Sequence, residues 1–276
     1  MSRPRATAGP RGPGEFTLIG VAHLPALPAG PRASAGFGPA RLRALHDAAV
    51  LSEAGFAGII LENFGDSPFT AGTVDPHVAA FVAIVASQIR ERHPQLRIGI
   101  NLLRNDARSA LGVAAAAGAD FIRVNVHCGA MLTDQGILQG DAHATLRYRR
   151  ELGADGPGPG RIQIAADILV KHAVPLGPVE AGAMAADTAR RGGAEVLIVT
   201  GEGTGKPADR ERVARVREAV PEASVWLGSG VTTETIRGWS TSAHGAIVGT
   251  ALHEDGDVAL PLSLARATRM RAAVDA

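Results

Sequence analysis

A single cysteine, Cys128, stands among 276 residues, which excludes an intramolecular disulfide and any zinc site built on paired cysteines. Lysine is nearly as scarce, because of 28 basic residues only Lys171 and Lys206 are lysines. A dominant charge is missing too: 28 basic residues face 27 acidic ones and leave a net +1. So balanced a chain has no surplus with which to neutralise nucleic-acid phosphates, and no nucleic-acid partner is expected. No uninterrupted apolar run reaches the roughly 18 residues needed to cross a bilayer, so no membrane span is expected either. Residues 1–15, rich in arginine, proline and glycine, contain no apolar segment of the kind a secretory signal needs and read as a disordered tail. A cytoplasmic location is the expectation that follows from one thiol and no leader.

What is present is alternation. From residue 16 onward, short β-branched or aliphatic runs occupy residues 16–22, 58–62, 97–102, 120–126, 162–167, 195–200, 224–228 and 245–249. Between them lie alanine-rich stretches with apolar residues at helical spacing, such as 39–54 and 75–92, the latter with Pro76 where a first-turn proline is tolerated. Eight such pairs in about 260 residues predict one α/β domain over residues 16–276, a (β/α)₈ barrel with an eight-stranded parallel sheet. The competing doubly wound sheet would carry G-x-G-x-x-G after its first strand, and residues 23–30 read HLPALPAG instead.

Alternate residues of a strand face opposite sides, so Ile122, Val124 and Val126 face the helices while Arg123 and Asn125 point into the barrel. Asn101 turns inward by the same argument. Barrel chemistry sits at the carboxyl ends of the strands, and here those exits are polar: His23; Glu62, Asn63 and Asp66; Asn101; Asn125; Asp167 with Lys171 and His172; Thr200, Glu202 and Lys206; Gly228, Ser229 and Gly230; Gly249 and Thr250. Both lysines fall among them. The last two exits let backbone N–H groups approach an anion, so Gly228, Ser229, Gly230, Gly249 and Thr250 are the candidate phosphate cradle, against the simpler reading of tight turns. Residues 200–206 lack the Walker spacing and read as a glycine-rich lid placing Glu202 and Lys206 over a ligand. If the fifth strand continues past Asp167, Lys171 shares its parity, which allows an ion pair, a phosphate contact, a general base or a Schiff-base nucleophile. Residues 127–140 read as a long glycine-rich loop, with Asp134 and Gln135 its polar contacts, or with Asp134 fixing an Asx-type turn.

These residues resemble the BtpA/SgcQ family over nearly the whole of residues 16–274. The matching stretches are 19–32 (IGVAHLPALPAGPR), 58–69 (GIILENFGDSPF), 121–126 (FIRVNV), 129–136 (GAMLTDQG), 170–172 (VKH), 199–207 (VTGEGTGKP) and 227–231 (LGSGV). The chain departs from the pattern at His127-Cys128 and Ala26. The resemblance implies a barrel. It also links the chain to a family named for photosystem I accumulation in cyanobacteria, some of whose members sit among sugar-metabolism genes.

The combined expectation is an enzyme acting on a small phosphorylated, sugar-phosphate-like metabolite by acid–base chemistry. Glu62, Asp167 and Lys171 transfer protons, while His23, Asn63, Asp66, Asn101, Asn125, Asp134, His172, Thr200, Glu202 and Lys206 hold the substrate. No resident cofactor is expected. Two alternatives stay open: a non-catalytic assembly or regulatory factor of the photosystem I biogenesis type, and a metal-dependent hydrolase using Mg²⁺ on a convergence of Glu62, Asp66, Asp134, Asp167, His23 and His172. A homo-oligomer is compatible with all three.

Overall fold

In the computed structural model, which describes residues 16–201, 203 and 205–275, eight parallel strands close into a barrel. The tail read from residues 1–15 lies outside the described residues. The strands are β1 (Thr17–His23), β2 (Gly58–Glu62), β3 (Arg97–Asn101), β4 (Phe121–Val124), β7 (Gln163–Ile168), β9 (Val196–Val199), β10 (Ser224–Leu227) and β11 (Gly245–Val248), neighbours in chain order, with β11 pairing back onto β1. The missing numbers belong to a second, three-stranded sheet of β5 (Ala130–Thr133), β6 (Gly136–Gln139) and β8 (Ala173–Pro175).

Parity sorts the core into two. Ile122 and Val124 pack outward with the apolar faces of the helices, whereas Ile19, Ile60, Phe121, Ile198, Trp226 and Ile247 fill the barrel. Around it run α1 (Phe37–Glu53), α2 (Pro76–Arg92), α3 (Ala107–Ala117), α4 (Ala142–Glu151), α5 (Ala181–Ala186), α6 (Arg210–Ala219) and α7 (Leu264–Asp275). In α1 the buried Ala40, Ala44, Ala48 and Leu51 recur at the spacing of one helical face. In α3 the Asp106 carboxylate accepts from Ser109 N–H at 2.9 Å, and Gly118 ends the helix at φ +67°, where a left-handed turn suits glycine. No described helix is long and apolar enough to cross a membrane.

Two sequence expectations are corrected. The seventh gap, between β10 and β11, holds only a 3₁₀ turn (Ile236–Trp239) and no α-helix, which its Thr, Ser and Gly content explains. Residues 127–140 are not an irregular loop: β5 and β6 form a hairpin in which Thr133 pairs with Gly136, and β8 joins its other edge. Gly136 sits at φ +94°, a turn conformation open to glycine, and Met131 and Leu138 bury a small core with Val126 and Val170. The signal lay in two short apolar runs separated by Asp134-Gln135.

The barrel interior leaves no slack at Gly99, where an added Cβ would lie 2.3 Å from the Phe121 ring. Gly99→Ala is expected to destabilise the fold by about 1–3 kcal/mol through overpacking. Urea unfolding checks this, and a midpoint equal to wild type would contradict the packing described.

Candidate functional site

Above the apolar plug, the last inward-facing positions are polar. Arg123 on β4 is fully buried: its Nε donates to Asp167 Oδ1 at 3.2 Å, its Nη2 to Asp167 Oδ2 at 3.1 Å, and its Nη1 lies 3.8 Å from Glu62 Oε2. Burial alone would lower the Arg123 pKa, but the adjacent Asp167 and Glu62 carboxylates raise it above its ordinary value. Asn125 Nδ2 donates to Asp167 Oδ2 at 2.7 Å, and Asn101 Nδ2 to Glu62 Oε2 at 3.2 Å. The Asn101 and Asn125 Oδ1 atoms are buried without a protein partner; Asn125 lines the cavity, whereas Asn101, expected to hold the substrate, lines no part of it and braces Glu62 instead.

The layer opens into two chambers at the carboxyl end of the barrel, one of about 610 Å³ and one of about 170 Å³, which share His23, Glu62, Arg123 and Lys171 as walls. The larger is walled by Leu24, Phe64, Phe69 and Leu103, with Arg104, Asn125, Asp134 and His172 adding polar groups. The smaller is bounded by Gly228, Ser229, Gly230, Gly249, Thr250 and Arg266. Burial first, and then the Arg123 charge, pull the Lys171 ammonium below its ordinary pKa, with Glu62 and Asp167 opposing. Burial lowers Arg104 as well, with Asp167 and Glu62 opposing, and its Nη2 donates to the Lys171 carbonyl at 2.9 Å.

Several expected residues reach the cavity and several do not. His23, Glu62, Asn125, Asp134, Lys171 and His172 line the larger chamber, and all five cradle candidates line the smaller. Asp167 is spent on Arg123 and Asn125 and lines neither chamber, so it holds the guanidinium rather than meeting a ligand. Its pairing with Lys171 is not formed among the described residues, because β7 ends at Ile168 and Leu169 turns to φ +56°, breaking the parity on which that expectation rested. Lys171 reaches the cavity by the turn instead.

Asn63 accepts from Leu103 N–H at 2.8 Å and donates to Asp66, whose Oδ1 accepts from Leu27 N–H at 2.7 Å. These two side chains bind one loop to another and line neither chamber. Thr200 is buried, donating to the Leu169 carbonyl at 3.4 Å. The Ser229 hydroxyl is occupied, accepting from Gly201 N–H at 2.8 Å and donating to the Lys206 carbonyl at 2.9 Å, so only its backbone is left for an anion. Lys206 contributes that carbonyl and lines neither chamber, and Glu202 lies outside the described residues. Among the described residues no three His, Cys, Asp or Glu side chains gather to hold a metal ion, so the convergence of six expected for a hydrolase does not form.

Sequence reasoning missed Arg104, Arg266 and His253. Arg104 stands three residues beyond Asn101 in the same strand exit, a position that could have marked it. Neither Arg266, on the first turn of α7, nor His253, on the segment before it, belongs to a strand exit, and only the closed barrel brings them here.

Two predictions follow from these contacts. Removing the carboxylate in Asp167→Ala leaves a buried guanidinium without its bidentate partner and should cost about 3–5 kcal/mol of stability, read by chemical denaturation; a loss below about 1 kcal/mol would contradict the pairing. His23 has its pKa lowered from 6.5 to about 3, chiefly by burial and then by His253 and the surrounding cations. The unfolded chain therefore takes up a proton that the fold refuses: this stability is complete above the ordinary value and is lost as pH falls toward the folded value, by about 1.4 kcal/mol per pH unit. Unfolding free energies measured between about pH 6 and pH 4.5 should fall less steeply in His23→Asn than in wild type, and parallel slopes would refute the assignment.

Residues 15–276 match the model of the BtpA family. The chain is 40% identical over 241 residues to the photosystem I biogenesis protein BtpA of Synechocystis, covering 87% of this chain and 82% of that protein. It is 37% identical to an uncharacterised protein of Methanocaldococcus jannaschii, covering 92% and 93% of the two chains. Among solved structures, KGPDC from Streptococcus mutans superposes with a TM-score of 0.59 at 10% identity over 95% of this chain and 98% of that one. Phosphoribosyl anthranilate isomerase from Thermus thermophilus does so at 0.55 and 13%, over 94% and 98%. The structural likenesses are likenesses of fold, a TIM barrel, whereas the sequence matches span the chain from the first strand to the last helix: it belongs to the BtpA family.

Proposed function

We propose that this protein is a barrel enzyme that binds a small phosphorylated metabolite, of sugar-phosphate type, and moves a proton on it at the junction of the two chambers. The observation that carries the reading is that junction: Glu62 and Lys171 each line both chambers, the glycine-walled one and the larger one. Glu62 keeps one carboxylate oxygen for Asn101 and Arg123 and has the other without a partner among the described residues. Lys171, lowered in pKa by burial, is suited to give or take a proton nearer neutrality than a surface lysine. The phosphate lies in the smaller chamber against the backbone at Ser229–Gly230 and Gly249–Thr250, the Gly228 N–H being given to the Val199 carbonyl at 2.9 Å, with Arg266 at its wall. The Thermus thermophilus isomerase, by its name, acts on a phosphoribosyl compound, which accords with a phosphate site in a barrel of this kind.

Ribose 5-phosphate and related sugar phosphates should raise the melting temperature of the wild type, and Thr250→Asp, which sets a carboxylate in the smaller chamber, should abolish the shift. A wild type that none of these compounds stabilises rejects the reading. With a stabilising compound as substrate, Glu62→Gln and Lys171→Ala should each lower turnover by about a hundredfold or more, and unchanged turnover removes that residue from the chemistry.

One observation favours a second reading, a non-catalytic assembly factor of the kind the Synechocystis relative's name describes. Leu132 pairs across the small sheet with Ile137 and Val174, and all three are exposed, by 47%, 62% and 58%, on the face opposite Met131 and Leu138. Binding of a sugar phosphate without any turnover of it would favour this reading over the first.

A further inference from the structure

The side chain of His23, at the end of β1, stands in the wall common to both chambers, and behind it lies the fully buried His253. Hydrogen-bond geometry determines where the protons of this pair sit. His253 Nδ1 lies 2.7 Å from the Leu260 carbonyl oxygen. A carbonyl oxygen only accepts, so Nδ1 carries the hydrogen; in a neutral imidazole the other nitrogen is then a lone pair. That nitrogen, His253 Nε2, lies 3.3 Å from His23 Nδ1. His23 Nδ1 must therefore be the donor, and His23 Nε2 is left as a bare acceptor. Arg43 Nη2 approaches His253 Nδ1 at 3.4 Å but cannot displace the shorter carbonyl contact, and it donates to the Val258 carbonyl at 3.2 Å. Both rings stay neutral near pH 7: burial lowers His253, with Arg43 lowering it further, and burial takes His23 to about 3.

The surroundings keep His23 Nε2 accessible. No group hydrogen-bonds to it among the described residues, and Gly249 passes directly over the ring. A Cβ at position 249 would lie 2.6 Å from His23 Cε1 and 3.2 Å from Nε2. Glycine at this position is thus a requirement of the histidine, in addition to anything it offers an anion.

We propose that His253 is a positioning residue that locks His23 in its Nδ1–H tautomer, making His23 Nε2 a standing acceptor for a hydroxyl or N–H group of the ligand at the junction of the chambers. A neutral ring with its only hydrogen turned inward has no proton to give, so His23 orients a donor group and does not act as a general acid. A phosphate or carbonyl oxygen at this point would meet a lone pair and be disfavoured. The ligand therefore presents a hydroxyl or N–H to His23 between its phosphate and the rest of its skeleton. The tautomer itself does not depend on the function proposed above; only the identity of the phosphorylated partner does.

Long-range ¹⁵N–¹H correlation spectra of the ¹⁵N-labelled full chain at pH 7.5 test this, with His23→Gln identifying the His23 signals. The wild type should show His23 protonated on Nδ1 and bare on Nε2. His253→Gln, whose amide oxygen can accept from Nδ1, should keep that pattern, whereas His253→Met should shift His23 toward Nε2–H. Ribose 5-phosphate affinity, read by calorimetry, should fall about tenfold in His253→Met and less than about threefold in His253→Gln. A wild-type His23 carrying its hydrogen on Nε2, or charged at this pH, overturns the proposal even if neither variant folds. An unchanged tautomer in a folded His253→Met overturns it too. The expected tautomers together with no binding of ribose 5-phosphate by the wild type would uphold the histidine relay and reject the sugar-phosphate reading.

Discussion

One guanidinium organises the working end of this barrel. Arg123 is buried on top of the apolar plug, and a buried cation is tolerable only if its charge and its N–H groups are answered. The answers come from other strands: Asp167 on β7 and Glu62 on β2. Building the sheet completes the charge set, because Asp167 reaches Arg123 through the β4–β7 pairing and Glu62 reaches it from β2, across β3. Asp167 is consumed by this task, and its second partner, Asn125, is oriented by it. One oxygen of Glu62 is left without a partner among the described residues, and Glu62 and the Lys171 ammonium stand together in the wall common to both chambers.

The mouth above this layer is lopsided for a reason visible in the inward positions. On β1 and β2 the exits end in His23 and Glu62 and continue into a loop carrying Phe64 and Phe69; beyond β10 and β11 the inward positions are Gly228 and Gly249. A Cβ at Gly228 would lie 2.5 Å from Ile198 Cγ2, so the glycine leaves the interior packed while baring backbone toward the smaller chamber. The smaller chamber is thus walled largely by glycine backbone, although the Gly228 N–H is already given to the Val199 carbonyl at 2.9 Å, and the larger chamber by apolar and aromatic surface.

Much of this was legible in the chain. Strand periodicity showed the eight barrel strands, and the turning inward of Arg123, Asn125 and Asn101 followed from parity because each lies within or immediately beyond a regular strand. Lys171 was placed at the site by its rarity and its position, although the parity offered for it fails where Leu169 leaves the sheet. Asn63, Asp66 and Ser229 sit at strand exits as expected, yet their polar groups are taken up by loop backbone, and whether a polar side chain meets a ligand or a neighbouring loop depends on contacts that strand position does not specify.

The amino-acid sequence by itself determined the class of fold, the inward and outward faces of the strands and the end of the barrel that carries polar groups. These are properties of local period and spacing, which each segment expresses whatever its distant partners are. The tertiary structure alone decided which polar groups are spent and which are free: that Asp167 answers Arg123 and not Lys171, that Arg266 reaches the smaller chamber, and that His253, separated from His23 by 230 positions, stands behind it. Hydrogen bonds and ion pairs act over about 3 to 4 Å, and only closure of the sheet brings residues so far apart in the chain within that reach.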